Sequence, residues 1–400
     1  MLYPPHIMGG AERSVALLAE AQVAAGHAVA ASCITPHGKV KEVRSGVRVY
    51  RMPHETDFWP EEWPRHSTLE RGLRRFKQQF NFRLERHFLD VIDDFAPDVV
   101  HTHSLLDVST RVWLAAKARK IPIVHTLRDY DLACGNAAMF KDGARCPRRH
   151  LKCRVFTFMK SYHQRAVDAV VGVGAAILAT HIGLGYFKRV PPAFRRVIWN
   201  PAVVEGIGPD YVKPSLEGRP LTFGYLGRIN VEKGIGTLLS ACRHLPATGW
   251  RMLVAGKEAS AADDMRHLAA TLPVEFLGFV PPRSLLDQID VLVVPSIWAE
   301  PLPRSILEAY AAGVPVIGAD SGGIPDLIGS GSRDWLFPPG DAAALSALMT
   351  GAIERGRATL PGRNDFAHVI EQTAPSTVAQ RYDNLYEGLR DSLRMTPVAV

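Results

Sequence analysis

Two cationic side chains, Arg228 and Lys233, lie five residues apart in a glycine-bounded segment of the sequence, 224–234. The segment directly follows an apolar run typical of a strand, and α/β proteins bind ligands where such strands end. Two cations at this spacing can reach one diphosphate group. The segment lacks the G-x-x-x-x-G-K-[ST] pattern of a P-loop. A surface turn with two solvated cations is the alternative.

Two carboxylates flank the start of a predicted helix. Glu300 precedes Pro301 and Pro303, either of which can begin a helix, and Glu308 falls within its first two turns. The first N–H groups of such a helix can bind an anion, whereas carboxylates can accept hydrogen bonds from sugar or ribose hydroxyls beside it. Taken singly, Glu300 could instead stabilise the helix dipole, and Glu308 could lie on a solvated face.

Glycine pairs open two further segments, 9–12 and 321–326. Gly9 and Gly10 precede a helix predicted to run to about Ala25, and glycine N–H groups at a helix start can face a phosphate. The alternative is a tight turn with no ligand. A phosphate loop should follow a strand, and only eight residues precede Gly9, so we expect the first strand to be missing or to lie upstream.

Strands must position these segments. Short β-rich apolar runs alternate with helical patterns, which predicts βα units and parallel sheets. Five strands are predicted before residue 200 and six after it, so we expect two separate α/β sheets. The predicted strands are 28–35, 47–51, 99–102, 123–126, 169–173, 221–226, 251–255, 274–277, 291–295, 314–318 and 335–337.

A proline-rich stretch without periodicity, 190–214, separates the two sets of strands. Such segments typically join domains. We therefore expect an N-terminal domain over 1–199 and a C-terminal domain over 200–365. A helical pattern past residue 365 predicts a C-terminal helix and tail over 366–400.

The composition excludes several classes of protein. The chain has 400 residues, of which 47% are hydrophobic and 22% charged, so it can bury two cores and is not disordered. No run approaches the roughly 18 apolar residues that cross a bilayer, and the N-terminus lacks a signal-peptide pattern. Five cysteines without a regular framework favour a reducing compartment. We expect a cytoplasmic protein or one peripheral to a membrane.

The net charge of +7 is concentrated in the first half. Residues 65–86 carry seven Lys and Arg against two Glu, and residues 139–165 carry eight against one Asp. Apolar residues recur every three or four positions from Leu69 to Ile92, which predicts a helix with its apolar stripe on the core and arginines on the other side. A basic amphipathic segment lying on an anionic bilayer is the alternative.

Cysteine and histidine residues cluster just before and within the second basic segment, at Cys134, Cys146, His150 and Cys153. Thiolates and imidazole can bind Zn²⁺, but the spacing is not that of a C-x2-C pair. Free thiols in a loop are the alternative.

Glu300 and Glu308, with seven residues between them, resemble the E-x7-E signature of retaining glycosyltransferases of family 4. Other segments are similar to further motifs of that family, in the same order along the chain. They are Arg228 and Lys233 for G-R-x-x-x-x-K-G, Gly256 for a strand-end glycine, Gly322-Gly323 for a later glycine pair, and 9–12 for G-G-A-E.

The resemblance implies a GT-B fold, in which two Rossmann-like, doubly wound parallel-sheet domains face a cleft and a C-terminal helix packs back on the N-terminal domain. It implies that Arg228 and Lys233 neutralise the departing diphosphate and that Glu300 holds the donor sugar, as the catalytic residues. It implies that Glu308 holds the ribose hydroxyls. The other donor-binding residues implied are Gly9, Gly10, Gly256, Leu302, Pro303, Arg304 and Ser305.

Family members need no divalent metal or other cofactor, so the resemblance gives Asp129-Tyr130-Asp131 no metal-binding role. The family often has a histidine where this sequence has Arg128. Arginine cannot accept a proton, so a role of Arg128 on the acceptor side must be electrostatic. His125, His101 and His103 are substitutes that the sequence does not rank, and each could be a structural histidine.

The resemblance therefore implies a retaining, metal-independent hexosyltransferase. It would move a sugar from a nucleotide-diphosphate-sugar to a glycan or lipid-linked acceptor in polysaccharide synthesis, at the inner face of the cytoplasmic membrane. Nucleic acid is not an expected partner. Two alternatives stay open: a sugar-nucleotide epimerase on the same fold, and a non-catalytic scaffold that binds nucleotide sugars.

Overall fold

The computed structural model describes residues 2–7, 9–257, 262–329 and 333–395. The chain divides into two compact units. Unit 1 comprises Met1–Met139, Cys146–Pro201 and Pro375–Val400, and unit 2 comprises Phe140–Arg145 and Ala202–Ala374.

Unit 1 contains two sheets. The first has the order β1-β3-β2, with β1 and β3 parallel and β2 antiparallel to β3. The second has the order β4-β5-β8-β9 and is parallel throughout. β6 and β7 lie between these strands along the chain and form a separate hairpin, which belongs to unit 2. Strands β1 to β9 are Ala30–Thr35, Val40–Arg44, Val47–Pro53, Val100–His103, Ile123–Leu127, Phe140–Lys141, Ala144–Arg145, Ala169–Gly172 and Arg195–Val197.

Among the residues described in the first half of the chain, seven segments are α-helical, and the C-terminal helix completes unit 1. Helices α1 to α7 are Gly10–Ala24, Thr68–Gln78, Phe82–Phe95, Arg111–Ala118, Leu151–Phe156, Phe158–His163 and Ala175–Gly183. The C-terminal helix, Pro375–Met395, is α15 in chain order. Among the described residues, no helix is both long and apolar enough to cross a bilayer.

The core of unit 1 forms on both sheets. One cluster joins Tyr3 and Ala16 to Val47 and Val49 of β3. A second cluster joins Leu18 of α1 to the second sheet and to the buried side of α15, which carries Val378, Ala379, Tyr382, Leu385 and Leu389. The C-terminal helix therefore packs on the N-terminal unit, as predicted.

The prediction of one core-facing helix from Leu69 to Ile92 is wrong in two respects. It is interrupted between α2 and α3, where the Asn81 side chain accepts a hydrogen bond from the Leu84 N–H (3.0 Å) and begins a new helix. The apolar stripe of α2 also faces solvent, since Leu69 is 82% exposed. The opposite side is buried because the Arg74 guanidinium donates to the Phe58 carbonyl (3.1 Å) and pairs with a carboxylate, that of Asp107.

Unit 2 contains one parallel sheet in the order β12-β11-β10-β13-β14-β15. Its strands, β10 to β15, are Leu221–Leu226, Trp250–Ala255, Val274–Gly278, Val291–Val294, Val316–Ala319 and Leu336–Phe337. Its helices, α8 to α14, are Ile235–Cys242, Ala262–Ala269, Pro282–Leu286, Arg304–Ala311, Ile324–Ile328, Ala342–Arg355 and Ala367–Gln372. The central strands are buried on both faces, as parallel strands covered by helices must be.

Candidate functional site

The strand order of unit 2 reverses between β10 and β13. β10 is the first strand of this sheet along the chain; β11 and β12 lie on one side of it, and β13, β14 and β15 on the other. In sheets of this kind a ligand binds outside the carboxyl ends of the strands at this reversal. The loop after β10 carries Arg228 and Lys233, and the loop after β13 carries Glu300. The fold therefore brings the predicted diphosphate and sugar residues to one edge.

The loop after β10 is held by its own hydrogen bonds. The buried Tyr225 hydroxyl donates to the Arg228 carbonyl (2.6 Å), while the Arg228 side chain is exposed. The Asn230 side chain accepts from the Lys233 N–H (3.1 Å) and caps the 3-10 turn Val231–Lys233. These two contacts fix the direction in which Lys233 leaves the backbone.

Lys233 and Glu300 form an ion pair. Lys233 Nζ lies 2.7 Å from Glu300 Oε2, and the two side chains are only 19% and 7% exposed. The other carboxylate oxygen of Glu300 accepts from the Ser296 hydroxyl (2.7 Å). Lys233 Nζ also lies 5.4 Å from the centre of the Trp298 ring. A cation is thus held in a sheltered position, where its attraction for a phosphate oxygen is weakly screened.

Gly256 allows two strand-end loops to meet. It follows β11, has φ of +157°, and a Cβ built there would lie 1.6 Å from the Gly227 carbonyl oxygen. Every residue except glycine would collide with the loop that carries Arg228. The strand-end glycine predicted for donor binding is therefore required for the close packing of the loops after β10 and β11.

Glu308 lies on α11, which begins after Pro303. Its carboxylate is 3.4 Å from Arg304 one turn earlier, and both side chains are largely buried. Leu302 is buried, and the Ile306 N–H donates to the Pro303 carbonyl (3.3 Å). The loop after β14 reaches the same segment, where the Gly323 N–H donates to the Glu300 carbonyl (2.7 Å).

Gly9 and Gly10 belong to unit 1, at the start of α1. Gly9 is the N-cap residue, and its N–H donates to the Glu12 carboxylate (3.0 Å). The helix ends at Ala24, close to the predicted end at Ala25. Their predicted contact with the donor phosphates stays a prediction.

His125 and Arg128 lie on β5 and directly after it. His125 is 1% exposed, hydrogen-bonds to the Thr102 hydroxyl (2.9 Å), and has its pKa lowered to about 3 by burial. Arg128 is also buried; its guanidinium donates to His103 Nδ1 (3.2 Å) and to the Asn200 side chain. The neutral His125 ring thus orients Thr102 inside the core. The hydrogen bond from Arg128 to Asn200 connects the end of β5 to the segment before Pro201.

Asp129 and Asp131 have different partners. The Lys160 ammonium lies 2.7 Å from Asp131; although burial opposes it, this cation lowers the pKa of Asp131. Burial and then the neighbouring Asp131 raise the pKa of Asp129 to about 8, and Asp129 accepts from the Ser104 hydroxyl. The pair is therefore an internal polar network of unit 1.

Cys134 and Cys153 are reduced and are not joined by a disulfide. The two side chains are hydrogen-bonded to each other. This hydrogen bond, together with hydrogen bonds from nearby backbone N–H groups, lowers the pKa of Cys134 to about 5. Within the described residues, no group of three or more His, Cys, Asp or Glu side chains is arranged to hold a metal ion.

Sequence reasoning missed three residues that support the site: Asn230, Ser296 and Trp298. Asn230 could have been found, because Asn is a common N-cap residue directly before a helical turn. Ser296 and Trp298 lie in the predicted loop after β13, but only the fold places them against Glu300 and Lys233.

Two family models match most of the sequence. The one described as "Glycosyl transferase 4-like domain" matches residues 9–201, and the one described as "Glycosyl transferases group 1" matches residues 220–355. The chain is 29% identical over 327 residues to an "Uncharacterized 42.6 kDa protein in cps region" of Klebsiella pneumoniae, which covers 82% of this chain and 85% of that protein.

Further similarities concern part of the chain or its fold. The sequence is 34% identical over 145 residues to the "Putative colanic acid biosynthesis glycosyltransferase WcaL" of Salmonella typhimurium, covering 33% of this chain and 36% of that one. The solved structure of Anabaena HepE in complex with UDP and glucose is similar, with a TM-score of 0.66 at 17% identity, covering 95% and 96% of the two chains. At that identity the likeness is one of fold.

The chain has two α/β units with parallel sheets, and its C-terminal helix packs on the first unit. These features define the GT-B fold class. The predicted fold is confirmed. The two family models and the position of the site at the strand-order reversal lead to one conclusion. The chain belongs to the GT-B glycosyltransferases.

Proposed function

We propose that the chain transfers a hexose, with retention of configuration, from a nucleotide-diphosphate-sugar to a glycan or lipid-linked acceptor in polysaccharide synthesis. The observation that carries the proposal is the sheltered Lys233–Glu300 ion pair (2.7 Å) at the strand-order reversal of unit 2. Retention rests on the E-x7-E resemblance. The polysaccharide assignment is supported by the relatives from the cps region and from colanic acid synthesis.

In this proposal different side chains of unit 2 bind different parts of the donor. Negative charge grows on the diphosphate as its bond to the sugar breaks, and the Lys233 and Arg228 cations stabilise that charge where it develops. This neutralisation requires no divalent metal. Glu300, held by Ser296, accepts from hydroxyls of the sugar, and Glu308 accepts from the ribose diol.

The proposal is tested by measuring the melting temperature (Tm) of the purified chain with UDP, GDP, ADP and their common sugar conjugates. One nucleoside diphosphate at about 100 times its Kd should stabilise the fold by roughly 2.7 kcal/mol. Glu308→Ala should abolish this shift because the ribose loses its acceptor. Glu354→Ala, an exposed glutamate of α13, is the matched control and should keep it.

No shift with any nucleotide, in a chain that melts cooperatively, would overturn the proposal. Binding of a nucleotide sugar without transfer of its sugar to any acceptor would favour a scaffold. Conversion of the bound sugar to its epimer would favour a sugar-nucleotide epimerase.

We further propose that unit 1 rests on an anionic membrane surface, at the cytoplasmic face where nucleotide sugars are available. Large apolar side chains of α2, α5 and α6 are exposed, although such residues are normally buried. α5 packs beside α2, where the Phe156 ring lies against Gly72. The exposed set, called the apolar patch below, comprises Leu69 (82%), Leu73 (49%), Phe76 (45%), Leu151 (75%), Val155 (48%) and Phe158 (66%).

The charge around the apolar patch favours a lipid surface over an apolar protein partner. Lys152 and Arg154 are exposed on the same helix as Leu151. Apolar side chains that enter the headgroup region, flanked by cations that attract anionic lipid, are the features of an interfacial helix. A lipid-linked acceptor would be presented at such a surface.

The double substitution Leu73→Ser with Phe76→Ser should reduce co-sedimentation with phosphatidylglycerol vesicles at least tenfold, since both side chains would leave the interface. Val212→Ser removes an apolar side chain that is 85% exposed in unit 2 and should bind vesicles normally. Equal binding of both variants, or equal binding of the unaltered chain to neutral and anionic vesicles, would exclude the apolar patch as the membrane surface.

A further inference from the structure

Three arginines on one side of α2 surround a single tryptophan ring. The guanidinium carbons of Arg71, Arg74 and Arg75 lie 5.8, 5.7 and 4.3 Å from the centre of the Trp63 ring. Residues three and four positions apart are neighbours on a helix surface, so the three cations also lie beside one another. This group, called the arginine cluster below, is on the side of α2 opposite the α2 residues of the apolar patch.

The segment before α2 is held against the arginine cluster by two hydrogen bonds to its backbone. The Arg74 guanidinium donates to the Phe58 carbonyl (3.1 Å), and the Arg71 guanidinium donates to the Pro64 carbonyl (3.1 Å). Trp63 lies between these two contacts along the chain, so its ring is fixed beside the arginines. A guanidinium that stacks on a ring is held in one orientation, which favours recognition of a planar or tetrahedral anion.

The positive charge of the arginine cluster exceeds the negative charge that pairs with it. Arg74 forms an ion pair with Asp107 (3.0 Å). Among the described residues, no carboxylate forms an ion pair with Arg71 or Arg75. Two further carboxylates of the neighbouring segment cap helix starts instead, Glu62 and Glu70.

Each arginine of the cluster has an enclosed nitrogen without a partner. In the part of the chain that the structure describes, Arg71 Nε, Arg74 Nη2 and Arg75 Nε are buried and make no hydrogen bond. Burial lowers the pKa of Arg75, which means that its surroundings disfavour the charge. Buried donors without partners are rare in native proteins, and each needs an explanation. A bound anion would supply negative charge and, at the nitrogens it reaches, the missing acceptors.

The arginine cluster lies beside the segment that follows β5. Asp131 and Cys134 of this segment are near enough to Arg75 for their charges to act on it. Asp131 is already paired with Lys160 (2.7 Å), so it does not neutralise Arg75. The segment begins at Arg128, which the family resemblance assigns to the acceptor side. The cluster is therefore a cationic site close to a segment predicted to face the acceptor.

We propose that the arginine cluster binds the phosphate or diphosphate group of a lipid-linked acceptor. Arg71 and Arg75 donate to the phosphate oxygens, and Arg74 anchors the segment that carries Trp63. Arginine matches phosphate oxygens in pairs, and such charge-assisted hydrogen bonds are strong. This inference rests on the proposed function, because it names the chemical group by which the acceptor is recognised.

The position of the arginine cluster on α2 suits an anion that is attached to a membrane lipid. A helix with its side chains is about 10–12 Å across, and an interfacial helix enters about 5–10 Å into the boundary between headgroups and acyl chains. With its apolar side in that boundary, α2 holds its arginine side at the level of the headgroups. A phosphate at the end of a lipid tail lies at the same level.

The test measures co-sedimentation of the chain with three kinds of phosphatidylcholine vesicle, without any nucleotide. One kind contains a long-chain prenyl diphosphate, one contains the matching prenol without phosphate, and one contains phosphatidylglycerol at equal total charge. Binding to the prenyl diphosphate vesicles should be at least about tenfold tighter than to the other two. Because no donor is present, a failure here leaves nucleotide binding by unit 2 untouched, and the two proposals fail separately.

Arg71→Gln with Arg75→Gln should abolish this preference, since glutamine is polar but carries no charge. Arg86→Gln with Arg189→Gln is the matched control, because it removes two exposed arginines of unit 1 and the same total charge. The control should keep the preference. Arg75→Lys keeps the charge but not the planar fork, and it should reduce the preference by about threefold or more.

The melting temperature separates binding from a structural role. Arg71→Gln with Arg75→Gln breaks no ion pair, so its Tm should stay within about 2 °C of that of the unaltered chain. If these arginines served only to pack against Trp63, the substitutions would lower Tm and the folded variant would keep its preference for the prenyl diphosphate.

Three results would overturn the proposal. The first is equal binding to the prenyl diphosphate and phosphatidylglycerol vesicles, since the arginines would then contact any anionic headgroup. The second is a preference that the double glutamine variant keeps. The third is displacement from the vesicles by micromolar inorganic pyrophosphate, since the site would then bind a free anion. Millimolar concentrations should be needed, because the free anion lacks the attachment to the membrane that raises its effective concentration.

Discussion

Replacing Lys233 by methionine will lower the rate of sugar transfer by about 10²- to 10³-fold, the size of effect seen when one preorganised charge-stabilising group is lost. The methionine side chain is similar in length but carries no charge, so the diphosphate leaves without the cation that stabilises it. The measurement is the steady-state release of nucleoside diphosphate from the nucleotide sugar that stabilises the chain.

The ion pair with Glu300 complicates this substitution, because removing one partner leaves a buried carboxylate unpaired and costs about 3–5 kcal/mol of stability. The double variant Lys233→Met with Glu300→Gln removes both charges and should recover much of that stability while staying inactive. Arg243→Ala, an exposed cation of unit 2, is the activity control. Normal turnover in a folded Lys233→Met variant would contradict the assigned role.

Gly234→Ala will destabilise the chain by about 3 kcal/mol or more and will weaken donor binding. Gly234 has φ of +74°, and an added Cβ would lie 1.8 Å from the Pro295 carbonyl oxygen. The backbone of the loop after β13 must then move, and Glu300 moves with it. The strain of a left-handed alanine adds to this cost. The measurement is urea unfolding of the variant beside the unaltered chain.

Gly236→Ala, two residues further on, is the matched control. No atom lies within 4 Å of its added Cβ, and the residue is within α8, where alanine is preferred to glycine by about 1 kcal/mol. This variant should be as stable as the unaltered chain or more so. If both alanine variants unfold at the same urea concentration, the close contact between Gly234 and Pro295 does not constrain the site.

Strand positions follow from the sequence where burial dominates. β10 occupies the predicted residues 221–226, because a strand covered on both faces has an uninterrupted apolar pattern with clear ends. β2 was not predicted, since its two apolar residues, Val40 and Val43, are exposed on an edge strand and lie three positions apart among charged residues, without the period of two that indicates a strand. Its existence depends on pairing with β3.

The amphipathic pattern of α2 shows where periodicity is insufficient. The spacing of Leu69, Leu73 and Phe76 predicts the helix but not which side is buried. Buried hydrogen bonds reverse the usual orientation here, because Arg74 and Gln78 find partners inside the unit and the apolar side is left at the surface. Those partners lie 16 to 33 residues away along the chain, so only the fold reveals them.

The candidate site likewise has some features that local sequence predicts and others that depend on contacts between distant segments. The sequence motifs single out Arg228, Lys233, Glu300 and Glu308 as candidate residues because the spacing within each motif is local. The pairing of Lys233 with Glu300 spans two loops that meet only in the sheet, where β10 and β13 are neighbours.

The return of α15 to the first unit also has a consequence for the order of folding during synthesis. Apart from a short hairpin, unit 2 is one uninterrupted stretch of chain, whereas unit 1 is built from segments at both ends. Val378, Tyr382 and Leu389 complete a core that includes Leu18 and Val124. On the ribosome, this second core cluster of unit 1 is therefore completed only when the last helix emerges, while residues 202–374 can fold first. The unit that carries the candidate donor site is then finished before the unit that begins the chain.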